Sequence, residues 1–208
     1  MDSTPDYDSQ RREEVMPYVP TSATTVLDVG CAGGAFGRAL QEARPGVLVD
    51  GIEADPTSAQ LAAGAYRRVI TGVCPEDLPS ERYDAIVCND VLEHMIDPWT
   101  AVADLRHHLR PGGCVIASIP NMRHWSALGP LLRGRWDYRS HGVLDRTHLR
   151  WFTKATMAEL FEDAGYKVRL VEKLTGSPPK GAWRAARVVR RSLVDDLFTK
   201  QYVVVAVA

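Results

Sequence analysis

Short apolar runs alternate with amphipathic stretches along most of this chain, and the alternation predicts its elements. Thr25–Val29 (TVLDV) is a β-branched run that stops at a glycine turn, and Ala35–Ala43 after it reads as a helix. Val47–Glu53 is a second strand, Thr57–Ala65 a helix, and Arg68–Gly72 a weaker third strand. Tyr83–Asn89 (YDAIVCN) is almost continuously apolar, as a strand covered on both faces must be. A helix over Trp99–Leu109 is expected to stop at the breaker cluster Arg110-Pro-Gly-Gly113, with a fifth strand at Cys114–Ile119.

From Pro120 to Thr153 the rhythm is lost. A structureless stretch of that length is uncommon inside a compact domain, so it reads as a functional insertion or lid. Thr153–Ala164 returns to a helix, with Thr153 as its N-cap and Gly165 as its stop. Tyr166–Leu174 and Tyr202–Ala208 read as strands, and Ala182–Leu193 as a basic amphipathic helix. Strands alternating with helices imply right-handed crossovers and a doubly wound, mostly parallel α/β sheet, to which the two late strands can add an antiparallel edge. The final apolar strand fits either the sheet interior or a homodimer contact.

Composition narrows the class. The 208 residues carry a formal net charge of −1, which argues against nucleic acid as the main partner, and no apolar run reaches the length of a membrane span. Residues 1–17 read as a polar segment ahead of one domain over 18–208, with no secretory signal, so a cytoplasmic setting is expected. Cys31, Cys74, Cys88 and Cys114 sit in or beside apolar segments at spacings that suit neither zinc nor a disulfide framework, and read as free thiols.

The loop after the first strand, Asp28-Val-Gly-Cys-Ala-Gly-Gly-Ala-Phe-Gly37, carries the chemistry. Its glycines allow a ligand close to the backbone. The dinucleotide fingerprint fails, because from Gly30 its second and third glycines fall on Ala32 and Ala35, and no phosphate-loop GK[ST] follows. A carboxylate at Asp28, at the mouth of the loop, would repel a pyrophosphate but suits an ammonium and a sulfonium. Glu53, ending the second strand 23 residues after Gly30, can accept from both hydroxyls of a ribose.

These segments resemble the class I S-adenosylmethionine-dependent methyltransferases. VLDVGCAGGAFG is similar to their first motif, GIEADP to the second-strand motif, YDAIVCNDVLEH to the fourth-strand motif and LRPGG to the turn before strand five. The resemblance implies a Rossmann-like seven-stranded sheet with a reversed last strand. It also implies cofactor contacts from Asp28, Gly30, Cys31, Gly33, Glu53 and Ala54, with Asn89 and Asp90 on the floor. Val73 stands where the family often has an acid near the adenine, so backbone groups, Glu76 or Asp77 are expected there. The stretch from Ile119 to Thr153 resembles a subgroup encoded with bacterial glycan-modifying enzymes, which implies a sugar or glycoside hydroxyl as acceptor.

Methylating a hydroxyl requires a proton acceptor, supplied by an imidazole or by a divalent cation such as Mg²⁺ that acidifies the hydroxyl. Asp90, Glu93 and His94 share one face if the turn after the fourth strand is helical, and form a partial shell for a hard cation. The acid-x-x-Glu-His pattern is similar to one in metal-dependent O-methyltransferases of ubiquinone biosynthesis. Alternatively Glu93 and His94 only shape the pocket. In the insertion, Asp145 can orient His148 as a base, or the two can simply fix a lid; His141 belongs to the same cluster. Trp125, Trp136 and Trp151 offer flat faces for a sugar, and Arg123, Arg133, Arg135, Arg139, Arg146 and Arg150 suit an anionic acceptor or a salt-bridged lid. An amine or other natural product as acceptor, an NAD-linked oxidoreductase and a non-catalytic binding module are the rival readings.

Overall fold

The computed structural model describes residues 7–176 and 191–208. The expected helix over Ala182–Leu193 lies outside these residues, apart from its last three positions. Seven strands form one sheet in the order β3-β2-β1-β4-β5-β7-β6. They are β1 Thr25–Val29, β2 Leu48–Glu53, β3 Arg68–Thr71, β4 Tyr83–Asn89, β5 Leu109–Pro120, β6 Lys167–Thr175 and β7 Gln201–Val207. The first five pair in parallel, and β7 runs antiparallel between β5 and β6. The final apolar strand therefore lies inside the sheet.

Period-two alternation assigns side chains to the two faces. Ile86 and Cys88 of β4, with Val115, Ala117 and Ile119 of β5, enter one core beneath α3 (Pro98–Leu105) and α5 (Lys154–Asp163). Ala85, Val87, Cys114 and Ile116 enter the opposite core, which α1 (Ala35–Ala43) and α2 (Pro56–Ala62) cover. Side chains mark where several helices begin. Asp55 caps α2 by accepting from the Ser58 N–H at 2.8 Å, and Asp97 caps α3 by accepting from the Thr100 N–H at 3.1 Å. Thr153 and Thr156 form a capping box on α5. Gly165, at φ +83°, stops that helix as expected.

Two boundaries differ from expectation. The helix ends at Leu105, and Arg106–His108 tightens into a 3₁₀ turn. The breaker cluster Arg110–Gly113 does not delay the fifth strand. β5 pairs Leu109 with Tyr83, then resumes at Cys114 opposite Ala85, so the cluster becomes an irregularity within the strand. In the N-terminal segment Val15 is buried, together with Val19 just after it, in the core beneath α1, so this part of the segment packs on the domain.

The insertion folds as α4 (Trp125–Leu131) followed by a loop that returns to the sheet through a bridge from Asn121 to Phe152. Ala127, Val143 and Leu144 make a small core of its own. The last helix, α6 (Arg191–Phe198), precedes β7.

Candidate active site

A cavity of about 930 Å³ opens at the carboxyl ends of β1, β2 and β4. Asp28, Gly30, Cys31, Glu53, Ala54, Glu76, Asn89, Asp90 and His94 all line it. Gly33 does not line it but is packed under the N-terminal segment: a Cβ there would come within 2.7 Å of the Asp8 Cβ. Gly30 is held at φ +70°, with the Val91 side chain 2.6 Å from where its Cβ would be, so only glycine fits.

Asp28 is not at the loop mouth. It is 1% exposed beneath the loop. Its Oδ2 accepts from the Tyr66 hydroxyl at 2.6 Å, and its Oδ1 is buried without a partner. Burial pushes its pKa up to about 7, with the Glu53 charge adding to the rise and the Tyr66 hydrogen bond opposing it. The Glu53 carboxylate accepts from the Ala32 and Asp55 N–H groups, each at 2.9 Å, and these bonds fix its orientation toward the cavity. Asn89 has both side-chain polar atoms buried and unpartnered. Asp77 turns away from the cavity and accepts from the Val73 N–H at 2.9 Å.

Asp90 does not share a face with Glu93 and His94. Residues Leu92–His94 form a 3₁₀ turn rather than an α-helix, and Asp90 sits at φ +50°. Its carboxylate pairs with Arg12 at 2.6 Å and accepts from Ser118 Oγ at 3.0 Å and Gln201 Nε2 at 2.8 Å. The groups that meet are instead Glu93, His94 and His148, whose ligand atoms lie within 4.8 Å of one another. The insertion is docked there by its backbone: the N–H groups of Leu149 and Arg150 donate to the Glu93 carbonyl.

Glu93 is 1% exposed, and neither carboxylate oxygen has a hydrogen-bond partner. Burial, reinforced by the charge of Asp90, holds its pKa well above the usual carboxylate range. His148 Nε2 stands 4.0 Å from Glu93 Oε1. Its other ring nitrogen faces the Val143 carbonyl at 3.2 Å, which helps to orient the imidazole. Burial, with the nearby His94, lowers the His148 pKa, which keeps the ring neutral near pH 7. The Asp145 Oδ1 accepts from the Thr147 N–H and hydroxyl. Its charge reaches both His148 and His94, whose Nδ1 lies 3.2 Å from the Thr147 carbonyl. His141 lies apart, beside Ser140.

The sequence reading missed Asp8, Gln10 and Arg12, which line the cavity from the N-terminal segment, and Tyr66, which holds Asp28. The four-residue spacing of Val15 and Val19, both buried, was the available sign that this segment packs.

A family model described as a methyltransferase domain matches residues 7–171. The chain belongs to this family. It is a class I S-adenosylmethionine-dependent methyltransferase. The ubiquinone biosynthesis O-methyltransferase of Methylobacterium sp. (strain 4-46) is 29% identical over 185 residues, covering 81% of this chain and 70% of that protein. The enzyme of the same name from Pseudomonas savastanoi pv. phaseolicola (strain 1448A / Race 6) is 30% identical over 164 residues, 74% of this chain and 68% of the relative. Among solved structures, an S-adenosylmethionine-dependent methyltransferase from Archaeoglobus fulgidus superimposes with a TM-score of 0.67 at 18% identity, covering 93% of this methyltransferase and 89% of that chain. One from Mesorhizobium loti gives 0.64 at 17%, covering 97% and 100%. At those identities the structural likeness is one of fold.

The cavity fits the methyl donor on its own terms. Asp28 Oδ1 and the Asn89 amide are buried groups that lack partners, and the donor carries the ammonium and hydroxyl groups to satisfy them. No helix among the described residues is long and apolar enough to cross a membrane.

Proposed function

We propose that this methyltransferase methylates a hydroxyl on a small ring acceptor, a sugar or glycoside being the class that the tryptophan-rich insertion favours. The observation that carries this reading is the Glu93–His94–His148 cluster, which reaches the cavity through His94, because an alcohol acceptor must lose a proton and an amine need not. The relatives named as ubiquinone biosynthesis O-methyltransferases support oxygen as the acceptor atom and make a phenolic ring the second class to test. The bound donor supplies an activated methyl group, and the protein's own work is alignment and proton handling. Asp28, Glu53, Ala54 and Asn89 hold the donor. Neutral His148 takes the hydroxyl proton at Nε2.

The same three residues fit a divalent cation. Two unpartnered carboxylate oxygens and two imidazoles form an acceptable donor set, and a cation there would acidify the acceptor hydroxyl. Asp90, engaged by Arg12, is not part of that set.

The test is methyl transfer from labelled donor to a panel of glycosides, catechols and amines, with and without chelator. Labelling of hydroxyl acceptors supports the reading, and loss of labelling with chelator assigns the cluster to a metal. Labelling of amines alone would overturn it.

A further inference from the structure

We propose that the acceptor ring binds in a second groove, beside His148 and next to the donor cavity, with the hydroxyl to be methylated reaching past the imidazole toward the donor, and that the ring carries a carboxylate or phosphate. This inference rests on the methyl-transfer reading above. The groove, about 480 Å³, is walled by Tyr138, Arg146, His148, Leu149 and Trp151. It shares no lining residue with the donor cavity, yet the two adjoin, because Thr147 lines one and His148 the other. The His148 ring stands edge-on to His94, which lines the donor cavity, with centroids 4.8 Å apart. His148 therefore stands where the two spaces meet, beside the path that a hydroxyl would take from the groove to the donor.

The walls define the ligand. Trp151 and Tyr138 are both exposed at the groove, and each is braced edge-to-face by Trp136, at 5.4 and 6.4 Å between centroids. Trp136 is itself packed on the insertion's small core of Ala127, Val143 and Leu144. Two aromatic planes fixed from behind form a slot for a flat ring or the apolar face of a sugar. Arg146 supplies the charge. Elsewhere in the insertion Arg135 is neutralised by Asp137 at 2.9 Å and Arg123 by Asp196 at 2.7 Å. No ion pair among the described residues engages Arg146. Its backbone is nonetheless pinned, its N–H donating to the Arg139 carbonyl at 2.9 Å. A guanidinium on an anchored backbone, outside any ion pair among the described residues, at the rim of an aromatic slot is a receptor for an anionic substituent.

The test measures binding to the full chain saturated with S-adenosylhomocysteine, using matched probes. They are 3,4-dihydroxybenzoate against 3,4-dihydroxybenzyl alcohol, glucuronate against glucose, and glucose 6-phosphate as the phosphate arm. At least one anionic probe is expected to bind at least tenfold more tightly than its neutral counterpart. R146Q should abolish that preference while leaving the neutral probe unchanged, and R146K should retain part of it. R135Q, whose arginine is already paired outside the groove, should change nothing. Equal binding of every anionic and neutral pair, or a preference that survives R146Q, overturns the proposal. The two readings fail separately. If hydroxyls are methylated but R146Q leaves KM unaltered, only the groove assignment falls. Anion preference without methylation of any hydroxyl leaves the groove and removes the methyl-transfer reading.

Discussion

The two ends of the sheet treat their buried carboxylates in opposite ways. At the amino end, Asp50 on β2 is 1% exposed and saturated: Arg67 donates at 2.8 and 2.5 Å, Arg68 at 3.0 Å and the Tyr83 hydroxyl at 2.8 Å. Asp84, at the start of β4, collects the N–H and hydroxyl groups of Thr24 and Thr25 together with Arg110. At the carboxyl end, Asp28 and Glu93 are equally buried, the amide atoms of half-buried Asn89 are out of reach of water, and each of the three retains atoms with no hydrogen-bond partner. Their pKa directions separate in the same way. Burial alone would raise Asp50 and Asp84, but their hydrogen bonds bring both below the usual carboxylate range, while Asp28 and Glu93 stay above it. Folding completes one end of the molecule and leaves the other to be completed by ligands.

Substitutions at the two ends should therefore fail in different currencies. The largest effect is expected from Glu93→Gln, which should lower turnover by about 10²–10⁴-fold, the range for disabling a proton-accepting group, because the Glu93 carboxyl faces the His148 base at 4.0 Å. The same variant should unfold at an essentially unchanged temperature, because it exchanges one buried polar group without hydrogen-bond partners for another of the same shape. A large loss of thermal stability would place Glu93 with Asp50 and break the contrast. Asp50→Ala should do the reverse, costing about 3 kcal/mol in denaturant unfolding as two arginines and a tyrosine lose their acceptor, a value at the low end because the arginines reach water. A variant as stable as the parent would show that the amino-end network is decorative.

Glu53→Ala should weaken S-adenosylhomocysteine binding by about 1.5–3 kcal/mol in calorimetry, the scale of hydrogen bonds to a charged group. Unchanged affinity would sink its assignment to the ribose.

The smallest effect is a proton count. The folded pKa of Asp28, about 7, exceeds its unfolded value, near ~3.9. Its ionisation therefore costs the ligand-free protein stability, from nothing below about pH 4 to the full amount above about pH 7. An ammonium beside it favours the carboxylate, so binding S-adenosylhomocysteine at about pH 6 should release a fraction of a proton, and at about pH 8.5 none. Titrations in buffers of different ionisation enthalpy read this directly, and identical heats at the lower pH would show that Asp28 does not sense the ligand.

The legibility of this molecule in its sequence follows the same division. β1, α1 and β4 were readable to the residue, because a strand buried on both faces leaves a continuous apolar run and the glycine turn before α1 marks where that helix begins. The donor loop was readable because its residues are contiguous. What escaped depends on distance along the chain. Nothing near Asp28 announces Tyr66, nothing near Asp90 announces Arg12, and the approach of His148 to Glu93 joins two loops that only the packed insertion brings together. The start of β5 was misplaced because Arg110–Gly113 breaks a helix reliably but is tolerated within a strand when the partner strand accepts a shifted register.

The position of β7 also bears on synthesis. Lys167–Thr175 has no sheet neighbour except Gln201–Val207, which also pairs with β5. Strands one to five can associate as they leave the ribosome. β6 must wait, with both of its edges open, until residues about thirty positions later have been translated. Open edges of that kind recruit other chains. A product terminated before Gln201 would leave β6 and one edge of β5 without their partner strand and open to pairing with other chains.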